Sequence, residues 1–128
     1  MRYAVFLRGV NVGGRTIPMA ELREVLGRLP VNGVRTLLAS GNVVCRSDLD
    51  AVALRSAVET ALRESFGYVA WVVVLEAERL MTLVEACPFP ADDAERHTYL
   101  TLTSDEAVLD ALDAATLEAD PATPLRRL

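Results

Sequence analysis

The sequence predicts an α+β fold: a ferredoxin-like β-α-β-β-α-β sandwich followed by an incomplete second α+β subdomain. Three observations predict it. Strand-like apolar runs over residues 2–10, 34–39, 43–46 and 69–75 are interleaved with two helical stripes. The middle two runs are joined by Ser40-Gly41-Asn42, a turn signal that makes them a hairpin. Each β-α-β unit is expected to be right-handed, which gives a sheet order of 4-1-3-2 with both helices on one face.

Arg2 to Val10 is the first expected strand, with Tyr3, Val5 and Leu7 on one side and Ala4, Phe6 and Arg8 on the other. The glycine-rich stretch LRGVNVGG closes it. Pro18 suits a helix start, where its missing N–H has no helical partner. Met19, Leu22, Val25, Leu26 and Leu29 then recur at helical spacing, until Pro30 and Gly33. Val34 to Ala39 and Val43 to Arg46 form the hairpin. Ser47, Asp48 or Asp50 can cap the second helix, whose inward face is Leu54, Val58, Ala61 and Leu62, and Phe66-Gly67 ends it. Val69 to Leu75 is a β-branched fourth strand, with Trp71 read as core.

The first subdomain is expected to span residues 1–78 and the second 79–128. Within the second, Glu76 to Ala86 reads as a helix with Leu80, Met81, Leu83 and Val84 inward. Cys87-Pro88-Phe89-Pro90 breaks it. His97 to Thr103 alternates like a half-exposed strand, and Ser104 can cap a helix from Asp105 to Leu112. Ala114 to Leu128 carries two prolines and little periodicity, so it reads as loosely ordered.

With 52% hydrophobic and 24% charged residues, the chain of 128 residues can bury a modest core. A net charge of −5 argues against a general nucleic-acid binder, which needs a basic face to displace counterions, while leaving room for a local basic spot. The longest apolar run is too short to cross a bilayer. No basic segment leads into a long apolar one at the start, so a cytoplasmic protein without membrane association is expected. Cys45 and Cys87 lack metal-type spacing and read as free thiols.

The parallel directions expected of the first two strands bring the loop Arg8–Arg15 and the turn Ser40–Asn42 to the same end of the sheet. Arg8, Asn11, Arg15, Ser40 and Asn42 then share one rim. The backbone N–H groups of Gly13 and Gly14 can add donors for an anion. The spacing is neither a P-loop, since no Gly-Lys-Ser/Thr follows, nor the dinucleotide fingerprint. A purely structural role fits the same residues: the glycines for chain reversal, Asn11 and Asn42 for turns, and Arg8 paired with Glu21. No nucleophile–base pair stands out, and no cofactor is implied. His97 has no second ligand nearby. Asp92, Asp93 and Glu95 lack the spacing of a calcium loop. Tyr68 and Trp71 can stack a base, but the aromatic pattern of an RNA-binding sheet is missing.

The segments YAVFLRGVNVGG, IPMAELREVL, VRTLLASGNVVCRSD and CPFP resemble the bacterial family of uncharacterised proteins known as DUF1697. The match is close from Tyr3 to about Asp48 and looser through VVVL to HTYLTL. The resemblance implies a pair of ferredoxin-like subdomains and no established activity. It marks Arg8, Gly9, Asn11, Gly13, Gly14, Pro18, Ser40, Gly41 and Asn42 as signature positions. It also implies a further strand and a glycine-arginine-serine-lysine segment that are absent here, so the second half reads as incomplete. An open strand edge of that kind is a template for pairing, and a homodimer is expected. Two functions remain: a small anionic or nucleotide-like ligand at the rim, or a protein-interaction module without catalysis.

Overall fold

The computed structural model describes residues 1–8, 16–37, 41–67, 69, 71–89, 95, 100–103, 105–119 and 128. The chain divides into two compact units, Met1–Leu80 and Met81–Leu128. The fold is mixed α+β, with a four-stranded antiparallel sheet and four helices among the described residues. The strands are β1 (Arg2–Arg8), β2 (Val31–Leu37), β3 (Asn42–Ser47) and β4 (Trp71–Glu76). The helices are α1 (Met19–Gly27), α2 (Ala51–Phe66), α3 (Ala77–Ala86) and α4 (Glu106–Ala119). No described helix is long and apolar enough to cross a membrane.

The sheet order is β2-β3-β1-β4, every neighbouring pair antiparallel. β1 and β2 both oppose β3 and so run in the same direction. Tyr3, Val5 and Leu7 of β1, Val43 and Cys45 of β3 and Val72 of β4 pack with Leu22 and Leu26 of α1 and Leu54, Val58 and Leu62 of α2. Both helices therefore cover one face of the sheet. Their apolar side chains recur every three or four residues, while the strand contributions alternate. Between helices and sheet lies a packing gap of about 10 Å³ lined by apolar residues such as Val5, Leu26 and Val58. It is too small and too apolar for a ligand.

Local chemistry sets the element ends. Pro18 immediately precedes α1, and its carbonyl accepts from the Leu22 N–H at 3.0 Å. Of the three candidate caps for α2, Asp50 is the one used: its Oδ1 accepts from the Ala53 N–H at 2.8 Å. Ser47 instead ties the preceding corner. Its hydroxyl donates to the Pro30 carbonyl at 2.9 Å and accepts from the Leu49 N–H at 3.1 Å.

Several sequence expectations are corrected. β2 starts at Val31 rather than Val34, because an irregularity between Asn32 and Arg35 absorbs Gly33 instead of ending the pairing there. β4 starts at Trp71 rather than Val69, and Trp71 is 67% exposed rather than core. Its parity places it opposite the helix-covered residues Val72 and Val74. α3 buries no residue fully: Met81 and Val84, expected inward, are exposed. Leu100–Thr103 form no strand, while residues 97–99 lie outside the described residues. α4 continues to Ala119, past the expected end at Leu112, because its run of alanines and leucines needs no apolar stripe to favour a helix. Ser104 lies outside the described residues. Asp105 lies just before α4, and its Oδ1 accepts from the Ala107 N–H at 2.9 Å. Cys45 is a buried free thiol, and Cys87 a half-buried one.

Candidate functional site

β1 ends at Arg8, and β3 begins at Asn42. Phe6 stands opposite Asn42 in the antiparallel register. The Leu7 N–H donates to the Gly41 carbonyl at 3.0 Å, tying the end of β1 to the turn that starts β3. Gly41 is buried with φ +85°, a conformation that a side chain would strain at the residue making this link. β4 enters at the same end, with Trp71 opposite Arg8. β2 leaves there, with Leu37 opposite Asn42.

Directly opposed strand residues share a face, as do residues two apart in one strand. Arg8, Leu37, Asn42 and Trp71 thus sit at one end of the sheet, on the face that α1 and α2 leave uncovered. Opposed Cβ atoms in such a ladder lie about 4.5–5.5 Å apart, and diagonal neighbours about 7–8 Å. Arg8, Leu37 and Trp71 are exposed. Asn42 is half-buried and already held by a contact within the protein.

Arg8 has no ion pair among the described residues. The two ion pairs there are Arg28–Glu24 at 3.1 Å and Arg55–Glu59 at 3.0 Å, both between residues one helical turn apart. The pairing of Arg8 with Glu21, one of the structural alternatives, is not among them. Of the expected site residues, Asn11, Gly13, Gly14, Arg15 and Ser40 lie outside the described residues, as do Gly9, Tyr68, Asp92, Asp93 and His97. Among the described residues no group of three His, Cys, Asp or Glu side chains could hold a metal.

Among the described residues, the titratable groups with displaced equilibria lie on the covered face, away from this rim. Burial pushes the Tyr3 phenol up, with smaller contributions from the charges of Glu76, Asp50 and Cys45. Its hydroxyl donates to the Leu49 carbonyl at 2.6 Å. Burial likewise pushes the Cys45 thiol up, the opposite of what activates a cysteine nucleophile. The described rim thus brings together a charge, an amide and an aromatic ring. Trp71 is the rim residue that the sequence reading placed wrongly. The signal that finds it is the parity of β4: once Val72 faces the helices, residue 71 cannot.

A family model described as a protein of unknown function (DUF1697) matches residues 1–125. Among solved structures, the conserved bacterial protein SP0830 from Streptococcus pneumoniae is similar, with 27% sequence identity and a TM-score of 0.70. The similarity covers 88% of this chain and 65% of that one, so the chain spans 65% of that protein's length. No curated protein matches the chain.

Proposed function

Because the chain belongs to the DUF1697 family, whose description names no function, we propose a function from the rim itself: binding of a small anionic or nucleotide-like ligand between the Arg8–Arg15 loop and the Ser40–Asn42 turn, on a ferredoxin-like scaffold. The observation that carries this reading is Arg8, an exposed cation at the end of β1 with no ion pair among the described residues, diagonal to Asn42. Arg8 supplies charge, and the backbone of Gly13 and Gly14 supplies donors. Ser40 and Asn42 orient the ligand by hydrogen bonding, and Asn11 and Arg15 complete the set from the same loop. Thermal-shift titrations with inorganic phosphate, AMP and ribose 5-phosphate test it. A shift is expected that weakens about 10- to 100-fold in Arg8→Ala, the loss of one charged hydrogen bond. No shift with any of them, or the same shift in Arg8→Ala, overturns it.

A second reading, an interaction module that forms a homodimer, is favoured by a different observation. Met81 and Val84 of α3 and Val108 and Leu112 of α4 expose apolar side chains, and β2 and β4 are the edges of the described sheet. Light scattering of dilute protein tests it: twice the chain mass supports the module, and a monomer refutes the dimer.

A further inference from the structure

We propose that the face of the sheet that α1 and α2 leave uncovered is a binding surface for single-stranded nucleic acid, extending from the rim across all four strands. The register assembles it. Arg2, Ala4, Phe6 and Arg8 of β1 share a face with Asn42, Val44 and Arg46 of β3, with Arg35 and Leu37 of β2, and with Trp71, Val73 and Leu75 of β4. Arg2, Arg8, Arg35 and Arg46 are all exposed, and none has an ion pair among the described residues. No strand position on this face carries an acidic residue. In a chain of net charge −5, four unopposed cations on one face are a segregation of charge.

Two features give the occupant its chemistry. First, Arg2 and Arg46 are directly opposed in the ladder. Like charges so placed destabilise a sheet unless an anion lies between them. Arg2 and Arg8 are six residues apart on one strand, about 20 Å, a span that suits a line of phosphates rather than one compact anion. Second, the one tryptophan of the chain is exposed beside Arg8, with half-buried Phe6 diagonal to it across the β1–β4 ladder. Aromatic and guanidinium planes on an open sheet stack unpaired bases, which a duplex hides. An acidic peptide would satisfy the arginines and leave Trp71 without a planar partner. The surplus of acidic residues elsewhere on the chain makes the binding modest and strongly salt-dependent.

This surface goes beyond the rim reading and can stand without it. The test is fluorescence anisotropy of a labelled twelve-nucleotide oligouridylate with the full chain, read alongside the emission of Trp71. Binding with tryptophan quenching is expected, with log K falling against log salt at a slope of about −2.8 if four phosphates are held, about −0.7 for each. Arg35→Ala and Arg46→Ala, both away from the rim, should each flatten the slope by about 0.7. Trp71→Ala should weaken binding about 5- to 150-fold. Circular dichroism melts establish that each variant is folded, and Arg46→Lys should restore the slope. Equal binding of duplex RNA or of polyglutamate overturns the proposal, as does no anisotropy change at low salt. AMP binding as tightly as the oligomer also overturns it while leaving the rim reading intact. Oligomer binding without any AMP or phosphate binding supports the surface and removes the rim reading alone.

Discussion

One side of the sheet is built from Tyr3, Val5, Leu7, Val43, Cys45 and Val72, all buried under α1 and α2. The other is built from the alternate positions of the strands, and it exposes Arg2, Arg8, Arg35, Leu37, Arg46 and Trp71. The same sheet therefore presents two faces that differ residue by residue. Burial of apolar area supports the covered side. The open side carries charge and an aromatic ring that contribute little to folding. The contrast teaches that folding stability is tied to strand parity, so substitutions one residue apart should have unlike consequences, and the binding proposed for the open side should be separable from it.

The largest effect is expected under the helices. Leu54 is fully buried in α2. Leu54→Ala should cost about 2–5 kcal/mol in urea unfolding, through lost transfer energy and the cavity left behind. Next is Ser47→Ala, which removes the bonds to the Pro30 carbonyl and the Leu49 N–H. A loss of about 1–3 kcal/mol is expected, about 0.5–1.5 for each of the two hydrogen bonds that the buried Ser47 hydroxyl makes. An unchanged midpoint would show that the covered side does not depend on this buried polar corner. Tyr3→Phe should cost about 1 kcal/mol near neutrality by deleting the bond to Leu49.

Tyr3 also gives a pH dependence. Its phenol is raised by burial and by neighbouring negative charge, so the fold favours the protonated form. That stabilisation is complete below the ordinary tyrosine value near pH 10 and is lost as pH rises through the higher folded value. Unfolding midpoints should therefore fall above about pH 10, and Tyr3→Phe should flatten that limb. An identical limb in Tyr3→Phe would move its origin to other groups. The smallest effect is expected at Trp71. Trp71→Ala should change stability by no more than about 0.5 kcal/mol, although it removes the bulkiest side chain in the protein. A loss of several kcal/mol in a urea melt would erase the distinction between the two sides.

Much of the architecture was legible in the residues. The stripe Leu22, Val25 and Leu26 and the stripe Leu54, Val58 and Leu62 are one-faced at helical spacing, and both are buried as read. Ser40-Gly41-Asn42 pointed to the hairpin that pairs β2 with β3. The weak places have physical causes. β4 is a nearly continuous apolar run, WVVVL, so its alternation is masked and the facing of Trp71 is not readable from it. α3 carries apolar residues at helical spacing, yet Met81 and Val84 are exposed, because periodicity says that a face is apolar and not that anything covers it. Of the rim, Arg8 and Asn42 were expected at one end of the sheet from the parallel directions of the first two strands. Trp71 was missed, since only its pairing with Arg8 reveals the company it keeps.

By itself the sequence determined the order of elements in the first unit, the apolar faces of α1 and α2 and the net charge, because these depend on local spacing and on sums. Only the tertiary structure decided where the charge goes. Arg2, Arg8, Arg35 and Arg46 are scattered over the first 46 residues of a net acidic chain, and no local pattern joins them. Strand parity and antiparallel register put them on one face, opposite the core, with Arg8 beside Trp71. Register depends on long-range hydrogen bonding between segments tens of residues apart, which is information that no single window of sequence contains.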